Sequence, residues 1–170
     1  MILVTVGAQM PFDRMTRAVD AWAGARDRHD VFAQIGETDF VPSHIDWTPF
    51  LEPDVFKNKV RQADILVAHA GMGSILTALE AGKPILVMPR RGDLRETRND
   101  HQIATAKRFL ELGSVQVAFD EDELASKLDL LETMPVSETI SPWASPELLA
   151  GIQTFMTASG IVPHSRKATP

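Results

Sequence analysis

The sequence has no cysteine among its 170 residues. This absence excludes disulfides, thiolate nucleophiles and cysteine-based zinc sites, and it fits a reducing compartment. Basic residues are also fewer than acidic ones: the chain has 17 lysines and arginines and 23 aspartates and glutamates, which gives a formal charge of −6. Since nucleic-acid-binding proteins usually carry a basic face, that class of function is disfavoured.

Long hydrophobic runs are absent as well. The apolar run at the start, residues 2–6, has no basic segment before it and is five residues long, so it is neither a secretion signal nor an anchor. No other run approaches the roughly 20 residues that span a bilayer. We therefore expect a cytoplasmic chain, and we expect any membrane contact to be indirect.

Short apolar segments alternate with amphipathic segments of helical period along most of the chain. The predicted strands are residues 2–6, 31–35, 45–51, 64–68, 84–88 and 115–119. This alternation predicts an α/β fold with a Rossmann-like, doubly wound parallel sheet. The predicted organisation is a domain over residues 1–134, a linker over 135–146, an amphipathic helix over 147–158 and a disordered tail over 159–170.

Glycines mark the ends of three predicted strands, where an open parallel sheet binds its ligand. Gly7 and Gly36 follow the first two strands, and residues 69–74 read HAGMGS. This last segment places two glycines and a hydroxyl at the N-terminus of a predicted helix, residues 74–81, where backbone N–H groups and the helix dipole favour a phosphate. The alternative is a tight turn with Ser74 as the N-cap. The GxGxxG and GxxxxGK[ST] fingerprints are absent, which disfavours NAD enzymes and P-loop kinases.

A second polar segment, ETRNDHQ at residues 96–102, lies where a loop enters a helix. Its Asp100, His101 and Gln102 either cap the helix or bind sugar hydroxyls, and the residues alone leave both open. Four arginines, which are interleaved with acidic residues, belong to the same region: Arg90, Arg91, Arg95 and Arg98. They form either a solvated, salt-linked loop or a site that helps to bind a diphosphate or an acidic sugar.

Four segments occur in family-like order: VTVGAQMPFDRM, AQIG, HAGMGSILTALEAGKPILVMPR and ETRNDHQ. Together they resemble the glycosyltransferase family 28 C-terminal domain, which is the donor-binding half of GT-B enzymes. The resemblance covers roughly residues 1–131. It is strongest to small bacterial exopolysaccharide subunits of the PssE type and to the soluble subunit of the eukaryotic dolichol-linked N-acetylglucosaminyltransferase.

The resemblance implies a UDP-sugar site. In the family the HAGxGS loop holds the UDP diphosphate, the loop after the first strand faces the same group, and the segment at residues 47–51 meets uracil. The acid–amide segment lies near the donor sugar. The predicted UDP-sugar-binding residues are Gly7, Gln9, Gly36, Phe50, His69, Gly71, Gly73, Ser74, Thr77, Glu96, Asp100, His101 and Gln102.

One position departs from the family pattern. Relatives carry a ribose-binding glutamate three residues after the conserved serine or threonine, and this chain has Thr77 there. A threonine hydroxyl hydrogen-bonds only one ribose hydroxyl well, so ribose recognition is expected to differ from the family pattern. Glu80 lies one helical turn further on and does not replace it.

The implied activity is that of half an enzyme. In GT-B enzymes the acceptor site and the usual general base belong to the other half, which a membrane-associated partner supplies in the split relatives. The chain is therefore expected to be the donor subunit of an inverting glycosyltransferase that acts on a lipid-linked acceptor in exopolysaccharide or glycolipid synthesis. We expect the base in the partner, with His69 and His101 as the candidates within this chain.

Two other functions stay open at this point: a non-catalytic UDP-sugar-binding regulatory module, and part of a sugar-nucleotide epimerase, since those enzymes share the architecture. No pair of histidines has metal-ligand spacing and no acidic pair is spaced to hold an ion beside a diphosphate. We therefore predict that the protein needs neither a metal nor a cofactor.

Overall fold

A computed structural model of the chain describes residues 1–130, 133, 139–141 and 143–160. Strands and helices alternate as the sequence predicts. The strands are β1 (Ile2–Thr5), β2 (Val31–Gln34), β3 (Asp46–Thr48), β4 (Ile65–His69), β5 (Ile85–Met88) and β6 (Gln116–Val117). The helices are α1 (Asp13–Ala25), α2 (Pro53–Gln62), α3 (Met72–Glu80), α4 (His101–Glu111), α5 (Glu121–Leu128) and α6 (Pro146–Ala158).

The six strands form one sheet in the order β3-β2-β1-β4-β5-β6. Every neighbouring pair is parallel. This order is that of a doubly wound Rossmann-like sheet, and the predicted fold class is confirmed.

Both faces of the sheet are covered, which explains why its strands are continuous apolar runs. On one face Ile2 and Val4 pack with the buried side chains of α1 and α5. On the other face Leu3 packs with side chains of α2, α3 and α4. Successive side chains of β1 thus enter different halves of the core, and all four of its residues are buried.

The winding direction changes between β1 and β4. From β1 the chain passes through α1 to β2 on one side, whereas β4 pairs with the other edge of β1. In such sheets the ligand crevice lies beyond the carboxyl ends of the two strands at the change of direction. The loops that follow Thr5 and His69 therefore flank the expected binding position.

The chain divides into two compact units, Met1–Ile140 and Ser141–Pro170. Helix α6 belongs to the second unit and includes the predicted helix 147–158, and the Ser145 hydroxyl caps it by accepting from the N–H of Leu148. Much of the predicted linker and most of the predicted tail lie outside the described residues, so these two assignments stay predictions. Within the part of the chain that is described, no helix has the length and apolar character needed to cross a membrane.

Candidate functional site

The N-terminus of α3 is open to an anion. The helix begins at Met72, its N-cap residue is Gly71, and no side chain caps it, whereas α5 and α6 each have a side-chain cap. The N–H groups of Met72, Gly73 and Ser74 have no acceptor among the described residues. Free N–H groups at the positive end of a helix dipole are the elements of a phosphate site.

Ser74 is not the N-cap of this helix. It is the third helical residue, because α3 begins two positions before the predicted start, so the turn with a serine cap is wrong. One turn further on, the Thr77 hydroxyl donates to the carbonyl oxygen of Gly73 at 2.8 Å. That bond uses the hydroxyl proton of Thr77 and leaves its oxygen as an acceptor for a ribose hydroxyl.

The two glycines of this turn, Gly71 and Gly73, differ in the space that the protein leaves for a side chain. A Cβ on Gly71 would lie 2.1 Å from Nε2 of His69, so packing alone requires glycine there. A Cβ on Gly73 would meet nothing within 4 Å, and its φ lies outside the left-handed region. The fold therefore does not require glycine at position 73, but a group bound closely against the helix N-terminus would.

His69 joins the loops after β1 and β4. Its ring lies beside Gly71 and also beside Gly7, where a Cβ would come within 2.7 Å of Cε1. Gly7 has a φ of +82°, which an L side chain rarely adopts. The structure thus brings Gly7, His69 and Gly71 together at the predicted crevice. Nδ1 of His69 is buried and has no hydrogen-bond partner among the described residues.

Burial, together with the nearby charge of Arg90, lowers the pKa of His69 to about 4. The imidazole is therefore neutral at pH 7. A general base works best with a pKa near the working pH, so His69 is poorly suited to that role. His101, the other candidate, is exposed at the start of α4, where its Nδ1 contacts the side-chain oxygen of Asn99.

The lowered pKa of His69 predicts a pH-dependent stability. His69 takes up a proton near pH 6.5 in the unfolded chain and near pH 4 in the folded chain. Its contribution to the free energy of unfolding is therefore fully present above pH 6.5 and is lost as the pH falls towards 4. The loss at pH 5 is about 2 kcal/mol. We expect urea unfolding of the wild type to show this extra loss between pH 7 and pH 5, and His69→Gln to lack it. His29→Gln, at an exposed histidine, serves as the control. An equal loss in the wild type and His69→Gln would contradict the assignment.

The loops after β1, β2 and β3 lie next to one another. Gly36, with a φ of +75°, packs so closely against the β1–α1 loop that a Cβ would come 3.1 Å from Cα of Pro11. Gln9 is exposed in that loop, and Phe50 is 55% exposed in the loop after β3. The exposed ring of Phe50 is available for stacking, and its contact with uracil stays a prediction.

Glu96 is held by ionic contacts within the protein. Its carboxylate accepts from Nε of Arg14 at 2.7 Å, from Nη2 of the same residue at 2.9 Å and from the N–H of Arg91 at 2.9 Å. A bidentate arginine–carboxylate pair is among the stronger hydrogen-bonded ion pairs in proteins. Both carboxylate oxygens are thus engaged, and Glu96 shapes the β5–α4 loop whatever its role towards the sugar.

The other polar residues near α4 also take part in loop structure. Oδ1 of Asp100 accepts from the N–H of Gly92 at 2.8 Å, and the buried Gln102 accepts through Oε1 from the N–H of Arg90 at 3.2 Å. Asp100 is the N-cap residue of α4 and His101 and Gln102 lie in its first turn, as considered above, but the Asp100 side chain does not bond that turn; the side-chain oxygen of Asn99 instead accepts from the N–H of His101 at 3.2 Å. Their contact with a donor sugar stays a prediction.

The arginine cluster separates into two environments. Arg91 pairs with Asp93 at the surface, which agrees with the interpretation as a solvated, salt-linked loop. Arg90 is only 4% exposed, so its assignment to a solvated, salt-linked loop is wrong. Its guanidinium extends beneath the β1–α1 loop and donates to three carbonyl oxygens of that loop, those of Val6 at 2.8 Å, Met10 at 2.6 Å and Pro11 at 2.6 Å, and to that of Glu96 at 3.4 Å.

Gln34 is a second buried donor that the sequence analysis did not identify. Its Nε2 donates to the carbonyl oxygens of Gly7 and Pro49, each at 3.1 Å, and its Oε1 accepts from the Thr5 hydroxyl at 2.8 Å. One amide therefore links the loop after β1 to the loop after β3. The available signal was a polar residue at the end of an apolar strand, at Thr5 and again at Gln34.

Over the described ranges, no three or more histidine, aspartate or glutamate side chains are grouped so that they could hold a metal ion. The independence from metal stays a prediction, which chelation tests.

Comparison with known proteins gives a family and a set of relatives. The model of the glycosyltransferase family 28 C-terminal domain matches residues 1–141. A protein of Cryptococcus neoformans var. neoformans serotype D, named UDP-N-acetylglucosamine transferase subunit ALG13, is 34% identical over 95 residues, which are 55% of this chain and 46% of that protein. The protein of the same name in Mus musculus is 39% identical over 56 residues, which are 33% of this chain and 4% of that protein. The chain spans less than half the length of each of these curated relatives.

Solved structures share the fold. The NMR solution structure of ALG13 has a TM-score of 0.58 at 18% identity and covers 89% of this chain and 93% of its own. The crystal structure of the glycotransferase of kitacinnamycin has a TM-score of 0.58 at 24% identity, over 94% of this chain and 39% of its own. The crystal structure of a UDP-GlcNAc 2-epimerase from Neisseria meningitidis has a TM-score of 0.58 at 14% identity, and the match covers 92% of this chain and 44% of that chain. At these identities the likeness concerns the fold alone. The family match, which extends over the whole sheet and the loops of the candidate site, shows that the chain belongs to the glycosyltransferase family 28 C-terminal domain family.

Proposed function

We propose that the chain is the donor-binding subunit of a two-component inverting glycosyltransferase that uses a UDP-sugar. The observation that carries this proposal is the uncapped N-terminus of α3 at the carboxyl end of β4, with three N–H groups that lack acceptors among the described residues. The family supplies the reaction class, since its members are glycosyltransferases.

The chemistry assigned to this chain concerns the leaving group. An acceptor hydroxyl, deprotonated by a base of the partner, attacks the anomeric carbon, and the bond from that carbon to the diphosphate oxygen breaks. Negative charge then develops on the departing UDP. The N–H groups of Met72, Gly73 and Ser74 are preorganised to stabilise that charge, which lowers the barrier without protein rearrangement.

The partner in this proposal is a membrane-associated protein that presents a lipid-linked acceptor in exopolysaccharide or glycolipid synthesis. Two features support a partner. The relatives named above are called subunits. Among the described residues neither histidine candidate is well suited as a base, because His69 is enclosed with a pKa of about 4 and His101 is exposed beside Asn99. A membrane location would follow from the partner.

The proposal predicts UDP binding without metal. Isothermal titration of the purified chain should give the same dissociation constant for UDP, within about twofold, in EDTA and in excess magnesium, since N–H groups rather than an ion hold the diphosphate. ADP and GDP serve as controls for base recognition and should bind more weakly. Binding that disappears in EDTA and returns with magnesium or manganese would contradict the metal-free site, and absence of UDP binding in both buffers would contradict the proposed function.

A further inference from the structure

The β1–α1 loop, residues 6–11, has four of its carbonyl oxygens bonded to buried side chains. Arg90 donates hydrogen bonds to the carbonyl oxygens of Val6, Met10 and Pro11, and Gln34 donates one to the carbonyl oxygen of Gly7. Both donors are buried, at 4% and 5% exposure. The two side chains reach the loop from different strands, since Gln34 ends β2 and Arg90 follows β5.

Three successive N–H groups of the same loop are left unused by the described residues, whereas those of Val6 and Gly7 are bonded to Gln34 and Thr5. Ala8, Gln9 and Met10 are exposed, and their N–H groups have no acceptor among the described residues. A loop that buries its carbonyl oxygens and leaves successive N–H groups unpaired has the character of an anion-binding nest. The His69 ring, packed between Gly7 and Gly71, joins this loop to the turn that begins α3.

The charge of Arg90 also favours a bound anion. Among the described residues no carboxylate lies within ion-pair distance of its guanidinium, although the charge of Glu96 acts on it from further away; the guanidinium contacts carbonyl oxygens and stacks 4.7 Å from the centre of the Phe12 ring. A buried cation without a direct counter-ion is costly, and a diphosphate bound over the adjacent loop would offset that cost.

We propose that Arg90 and Gln34 are positioning residues for the donor diphosphate. By bonding the carbonyl oxygens of Val6, Gly7, Met10 and Pro11, they present the free N–H groups of residues 8–10 to the phosphates, opposite the N-terminus of α3. Gln34 also fixes this loop relative to Pro49, next to the loop that carries Phe50. This inference rests on the proposed function, because it assigns residues to the same UDP site.

The test compares UDP with uridine, which shares the base and ribose but has no phosphate. Arg90→Lys keeps the charge but loses the guanidinium fork, so we expect UDP affinity to fall by about tenfold or more and uridine affinity to change by less than about twofold. Gln34→Met, which does not change the charge, should also lower the affinity for UDP much more than the affinity for uridine. Arg91→Met is the matched control, because the side chain of that neighbouring arginine is 41% exposed and paired with Asp93, and it should leave both affinities unchanged.

Several outcomes would overturn the inference. Equal losses for UDP and uridine would show a role in folding rather than in positioning, and unchanged UDP affinity in both variants would show no role. If Arg90→Lys does not fold, the Gln34→Met result decides alone. A wild-type protein that fails to bind UDP contradicts the proposed function instead, so the two failures are distinguishable.

Discussion

Replacing Gly73 by valine is expected to lower UDP affinity by about 100-fold or more. The new side chain meets no protein atom near its Cβ, so it extends into the open space at the N-terminus of α3, where we propose that the diphosphate binds. It thereby keeps the phosphates from the N–H groups of the first turn. Loss of one or two hydrogen bonds to a charged group, at about 1.5–3 kcal/mol each, corresponds to this change.

The same substitution should leave the fold intact. Glycine and valine have similar, low helix propensities, and nothing within 4 Å of position 73 would be displaced. The far-UV circular dichroism spectrum and the unfolding midpoint are therefore expected to match the wild type. Gly151→Val is the matched control, because Gly151 lies in α6 and its Cβ would also be free of contacts. A Gly73→Val protein that binds UDP as well as the wild type would show that the phosphates lie elsewhere.

The isolated chain is expected to transfer no sugar to a lipid-linked acceptor, and a suitable partner should raise turnover by at least about 1,000-fold. A positioned general base contributes about 10² to 10⁴, and orientation of the acceptor adds to it. Within the described part of the chain, His69 is neutral and enclosed, and the Glu96 carboxylate is committed to Arg14. Product formation from a labelled UDP-sugar, with and without membranes that contain a candidate partner, measures the difference.

The controls separate the remaining functions. Membranes without the candidate partner should support no transfer, and Gly73→Val combined with the partner should also be inactive. Robust turnover by the isolated chain would contradict the half-enzyme account. Absence of transfer with every partner, together with normal UDP binding, would favour the regulatory module.

The sequence predicted the inner strands clearly because both faces of the sheet are covered there. All four positions of β1 are then buried, and three of its four residues are apolar. The prediction was too long for β3, where the expected 45–51 became Asp46–Thr48. This edge strand pairs only with β2, and Pro49, which has no N–H group, ends it.

The start of α3 was predicted two residues late for a physical reason. Sequence rules place a serine at the N-cap because its hydroxyl satisfies a free N–H group. Here Gly71 takes that position in an extended conformation, and no side chain satisfies the first turn. The departure from the capping rule leaves N–H groups free for a ligand, as expected where function rather than stability determines local structure.

The glycines of the candidate site were predicted from the sequence, whereas Gln34 was not, and Arg90 stood only as one of four arginines with two open interpretations. Arg90 contacts Val6 across 84 positions of the chain, and the contact exists only because β5 and β1 end at the same edge of the sheet. Periodicity and local motifs carry no information on such a contact. Arg90 therefore resembled its solvated neighbours in the sequence, although it lies in the interior.

The most direct test of UDP binding at this crevice is a map of backbone amide shifts by ¹⁵N–¹H NMR as UDP is added to the wild-type chain. We predict saturable shifts for the N–H groups of Met72, Gly73 and Ser74 and for those of Ala8 and Gln9, with the amides of Asp30 and Asp64, at the opposite edge of the sheet, unmoved. Absence of saturable shifts, or shifts confined to another part of the chain, would contradict the account.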